Sequence, residues 1–116
     1  MQFPEMFESI IKEANKLKLY KKLIHQLNKD LLLANIDLEF DQETLPMSLK
    51  LILNETIYKL IHQKFSEYLN LLYIVDVSEK TIKQLDGSDT LELAEKVTFL
   101  ILERQWQKVL YKFNQS

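Results

Sequence analysis

The chain has 116 residues with a net charge of −2, a single glycine, two prolines and no cysteine. One domain of this length buries a core without disulfides or metals, and the lack of cysteine excludes thiolate catalysis, a disulfide framework and cysteine zinc sites. The small net charge gives no global attraction to nucleic acid or membrane, and of fifteen basic residues only Arg104 is the arginine that nucleic-acid readers favour.

So few glycines and prolines predict few, long helices rather than strands. Pro4 is placed for the first turn of a helix, and no breaker follows it before Asn35. Phe3, Ile10, Leu17, Ile24 and Leu31 recur every seven residues, flanked by Met6, Phe7, Ala14, Tyr20, Leu27 and Ala34. This stripe predicts either one long N-terminal helix or two with a joint near Asn15–Lys18. Its first turns carry more apolar surface than a small bundle can hide. Residues 1–18 are therefore expected to form an arm that caps the core, protrudes or dimerises, with Phe3, Met6, Phe7, Ile10 and Leu17 as interface candidates.

From Asn35 to Leu45, Ile36, Leu38 and Phe40 alternate with Asp37, Glu39 and Asp41. A lone strand has no partner in a helical chain, so the segment reads as an extended linker laid over the bundle. Pro46 opens the next helix, with Leu49, Ile52, Leu53, Ile57, Leu60 and Ile61 as its apolar face. Ser66 reads either as an N-cap after a short break or as a surface position of one longer helix. The stretch Tyr68–Val77 is apolar at both helical and strand periods, which predicts burial on every side against Val97–Leu102. Ser78 is expected to cap a short helix, Glu79–Leu85, with Gly87 supplying a positive φ at its C-terminal end. Asp89 and Glu92 have capping-box spacing, starting a last helix that runs to about Phe113. The resulting expectation is an all-α single domain, a compact bundle of four or five helices.

The segments Leu71-Leu72-Tyr73-Ile74-Val75-Asp76-Val77-Ser78-Glu79 and Leu100-Ile101-Leu102-Glu103-Arg104-Gln105-Trp106-Gln107-Lys108 resemble a group of small uncharacterised bacterial helical proteins. The resemblance spans Tyr68–Lys112, departs at Trp106, and implies helices for both apolar segments with no assigned activity.

No catalytic pattern stands out. His25 and His62 lack Glu-x-x-His or His-x-x-x-His spacing and are flanked by lysines, so no metal site is expected. The serines read as caps, surface positions or tail, none in a glycine-rich elbow. Asp86-Gly87-Ser88-Asp89 lacks the spacing of a calcium loop. No cofactor is implied. Asp76 and Arg104 are charges set into or beside the most apolar segments, and each requires a partner, so they are expected to serve structure.

The N-terminus lacks the basic and apolar regions of a signal peptide, and the longest uncharged run is too short to span a membrane, so a cytoplasmic protein is expected. Function is expected to be that of a non-enzymatic helical interaction module that self-associates as a homodimer, with a further protein partner compatible with the same reading. The alternative is a regulatory or small-ligand-binding domain with a pocket between helices. Weak nucleic-acid binding through Lys12–Lys29 ranks below both, because those lysines diverge around the helix.

Overall fold

The computed structural model describes residues 3–115, with side chains from Phe7 onward, and is all α with no strand among those residues. Six helices follow in order: α1 Phe3–Lys16, α2 Tyr20–Leu33, α3 Pro46–Gln63, α4 Phe65–Val75, α5 Glu79–Lys83 and α6 Thr90–Gln115. The 26-residue α6 is the spine, packing most extensively on α3 and then on α2, α1 and α4. Its start is as the sequence indicates. Asp89 Oδ1 accepts from the amides of Leu91 at 3.0 Å and Glu92 at 3.2 Å, two donors that the first turn leaves unpaired. Glu92 itself pairs with Lys96.

The long N-terminal helix is two helices. The chain breaks at Lys18, whose φ is 59°. There the Leu19 amide donates to Ala14 O at 2.7 Å and the Lys18 amide to Asn15 O at 3.1 Å, the paired bonds of a Schellman ending. Leu19 and Ala14 are both buried, so the ending is closed by an apolar contact. The same pair of bonds closes α2 at Asn35, φ 62°, and α4 at Asp76, φ 70°. Gly87 plays no such part: α5 ends at Lys83, and no glycine has a positive φ. A methyl at Gly87 would meet only Leu93 Cδ2, at 3.8 Å.

From Phe7 onward the N-terminal residues pack into the common core: Phe7, Ile10 and Ala14 are buried there, and Leu17 of the described interface candidates is exposed. The side chains of Phe3 and Met6 lie outside the described residues. One expectation is corrected: α4 is not buried on every side. Tyr68, Leu71, Leu72 and Val75 face the core, whereas Phe65, Leu69 and Tyr73 face outward. The break before α4 falls at Lys64, which leaves Ser66 exposed rather than capping.

The linker is extended and rests on α2. Asn28 holds it like a neighbouring strand, its Nδ2 donating to Phe40 O and its Oδ1 accepting from the Phe40 amide, both at 2.8 Å. Phe40 is buried, Ile36 and Leu38 are half-buried, and the alternate acids Asp37 and Glu39 are exposed. Tyr20 pins the far end by donating to Thr44 O at 2.7 Å, and burial raises its pKa above the usual tyrosine value.

Three unfolding measurements follow. Ile101 is fully buried in α6, so Ile101→Ala should lower stability by about 2–5 kcal/mol in urea. Lys18→Gly should raise stability by roughly 0.5–1 kcal/mol, because a left-handed β-carbon is costly and glycine removes it. Gly87→Ala should cause no loss, whereas a loss there matched by none of the Lys18 gain would place the left-handed turn at the wrong residue.

Candidate functional site

The polar centre of the protein lies where α2, α4 and α6 meet. Asp30 on α2 is 3 % exposed, the one charged residue among the buried described residues. Its Oδ2 accepts from Lys108 Nζ at 2.6 Å and from Gln105 Nε2 at 2.8 Å, and its Oδ1 from Gln26 Nε2 at 3.3 Å. Lys112 Nζ in turn donates to Gln26 Oε1 at 2.8 Å. Gln26 and Asp30 are one turn apart on α2, and Gln105, Lys108 and Lys112 are three and four apart on α6, so each set lines one helix face.

The same face of α6 closes the end of α4. Arg104 Nη2 donates to Asp76 Oδ2 at 3.0 Å and its Nε to Asp76 O at 3.1 Å. Lys108 Nζ lies 3.4 Å from Ile74 O. Two cations thus face carbonyls that a helix end leaves without intrahelical partners, where the helix dipole is negative. Asp76 meets Arg104 while Ile74, two residues earlier, meets Lys108, one turn further along α6. The pair forms because α4 ends against the middle of α6, not against its start. Arg104 keeps about a third of its side chain exposed and Asp76 three quarters, so screening limits what this ion pair contributes.

Asp30 is enclosed, whereas Gln26 and Lys108 also border an open hollow with Arg104, Tyr111 and Lys112. The Asp30 carboxylate already holds three donors, and Lys108 is held between that carboxylate and a main-chain carbonyl. His25 and His62 are exposed on α2 and α3, His25 on the same helix as Asp30 but turned to solvent, and no group of three potential metal ligands occurs among the described residues. The lysines from Lys12 to Lys29 are also exposed, spread over α1, α2 and their joint, and Lys21 pairs with Glu43.

No family model, curated protein or solved structure matches the chain. Among the described residues no helix is long and apolar enough to cross a membrane.

Sequence reasoning singled out Asp76 and Arg104 and missed Asp30, Gln105 and Lys108. A signal was present. Asp30 falls in the core-spaced series Leu23, Leu27, Asp30, Ala34, and Gln105 in the series Thr98, Leu102, Gln105, Val109. Two polar residues in the buried stripes of two helices imply that they meet. Trp106 also has a partner far along the chain, donating to Glu13 Oε1 on α1 at 2.7 Å. Two other features stand apart from this centre: an apolar cleft between α1, α3 and α6, and the outward face of α4.

Arg104 tests the reading of the α4 end. Arg104→Met keeps the packing of the stem and should lower stability by about 1 kcal/mol, and Arg104→Ala should lower it further. Equal losses in thermal unfolding would show that the stem contributes nothing.

Proposed function

We propose that the chain is a non-enzymatic interaction module that pairs with a second copy of itself through the outward face of α4. The observation that supports this is the row Phe65, Leu69 and Tyr73, spaced four residues apart, with exposures of 54 %, 49 % and 81 %. Residues at this spacing form one continuous strip on a helix. The intervening outward residues are Ser66 and Asn70, so the face carries no charge. An uncharged apolar strip on a monomer is a contact surface or an aggregation liability.

A second copy suits this face for a physical reason. A strip without charge offers nothing for electrostatic selection of a charged partner. Two such strips related by a two-fold axis bury one another without desolvating any ionised group, and a two-fold contact is closed and self-complementary. The N-terminal arm is a poorer candidate for the same task, because Phe7 and Ile10 are occupied by the chain's own core. The resemblance of Tyr68–Lys112 to small bacterial proteins, which carries no activity with it, is compatible with such a module. A cytoplasmic location belongs to the same reading.

Light scattering after size exclusion tests it. The wild-type chain should elute as a dimer that dissociates on dilution. Leu69→Lys should yield a folded monomer with an unchanged circular dichroism spectrum, whereas Leu17→Lys should leave the dimer intact. A wild-type chain that stays monomeric at high concentration would end the proposal.

A further inference from the structure

The open hollow beside the polar centre has a volume of about 460 Å³ and lies between α2 and the second half of α6. Gln26, Arg104, Gln107, Lys108, Tyr111 and Lys112 line it, so cations, amides and a phenol meet there without a carboxylate. Arg104, Lys108 and Lys112 recur every fourth residue and share one face of α6, a spacing at which like charges repel. The carboxylates that pair with Arg104 and Lys108 stand outside the hollow. Asp30 is buried in the polar centre, and Asp76 borders a separate depression at the end of α4.

Hydrogen bonds within the hollow occupy its acceptors and leave donors over. Gln26 Oε1 accepts from Lys112 Nζ at 2.8 Å, and Gln107 Oε1 accepts from Arg104 Nη1 at 3.4 Å. With its oxygen turned to Arg104, Gln107 presents an Nε2 that has no partner among the described residues. A guanidinium has five N–H groups, and Arg104 uses three, on Asp76 O, Asp76 Oδ2 and Gln107 Oε1. Tyr111 is 68 % exposed, and its ring and hydroxyl make no contact of their own among the described residues. A hollow free of acids, with filled acceptors and surplus donors, is complementary to an oxyanion.

The geometry points to a binding site for a phosphate monoester. The phosphate lies among Arg104, Lys108, Lys112 and the Gln107 amide, and the organic group rests on the Tyr111 ring. Arginine offers paired N–H groups to phosphate oxygens and lysine a compact charge, so the two types together suit a doubly charged head with three free oxygens. A carboxylate fills only part of this donor set, and free phosphate leaves the tyrosine ring unused. The bound anion also relieves the repulsion along this face of α6. Pairing through α4 is not required, since none of the lining residues belongs to that helix.

The test is a titration of the nitrogen-15-labelled full chain with phenyl phosphate at low salt, with inorganic phosphate and phenol as its two halves. Phenyl phosphate should shift the amides of Gln107, Tyr111 and Lys112 saturably, with a Kd below about 1 mM. Inorganic phosphate should shift the same amides at least about tenfold more weakly, and phenol should bind more weakly still. Gln107 and Lys112 are exposed, so Gln107→Glu and Lys112→Met should leave the circular dichroism spectrum unchanged. Each should weaken phenyl phosphate by about tenfold, through an added acid or a lost cation. Tyr111→Ala should reduce phenyl phosphate to the affinity of inorganic phosphate. The proposal is overturned if about 10 mM phenyl phosphate gives no saturable shift, if the shifts map elsewhere, or if both Gln107→Glu and Lys112→Met leave the affinity unchanged. Inorganic phosphate that binds as tightly as phenyl phosphate would overturn the assignment to a monoester.

Discussion

A carboxylate withdrawn from water must be met by donors, and in this protein that requirement falls on Asp30. An ion of this kind buried alone would cost several kcal/mol. Its three partners are Gln26 on its own helix and Gln105 and Lys108 on α6. The donors from α6 reach it in one register only. Sliding α6 by a single turn would carry them about 5.4 Å away and leave the carboxylate stranded. Apolar side chains such as Leu27 and Ile101 tolerate many near-equivalent packings, whereas this contact tolerates one. Its contribution is to the choice of packing more than to its depth, since a well-packed apolar pair could be as stable.

Once α6 is placed against α2, its other side chains place the remaining helices. Trp106 reaches Glu13 and sets the position of α1. Arg104 and Lys108 meet the end of α4 at Asp76 and Ile74. The turns that let the chain return to α6 are built without glycine, using Lys18, Asn35 and Asp76 in left-handed conformation. Asparagine and aspartate accept that conformation with little strain. Lysine does not, so the joint between α1 and α2 is held by the packing of Leu19 on Ala14 rather than by local preference. Helix packing also decides what is left outside. Because α4 offers its core face to three neighbours, its Phe65, Leu69 and Tyr73 remain in solvent.

Much of this was readable from the residues. The two proline-led helices, the Asp89 cap and the alternating linker all rest on local rules, and the structure follows them. What was not readable has a common cause. The sequence left one helix or two open near Asn15–Lys18, because no glycine or proline announces the break that the folded chain makes at Lys18. The exposure of Tyr73 depends on how many neighbours α4 has, which composition does not state. Gly87 drew attention as the only glycine, but the left-handed turns fall at Lys18, Asn35 and Asp76. Asp30 and Gln105 were legible in principle as polar members of buried stripes. Beside Lys29 and Arg104, they passed for parts of a solvated face. The apolar cleft left no trace in the sequence, because its walls come from three helices remote in the chain.

The dependence of the packing on Asp30 is measured most directly by a double-mutant cycle with Asp30→Asn and Lys108→Met, read by chemical denaturation. The structure predicts that the two changes are strongly non-additive, with a coupling of about 2 kcal/mol or more between side chains whose charged atoms are 2.6 Å apart. A coupling below about 0.5 kcal/mol, the level expected of unconnected sites, would contradict it.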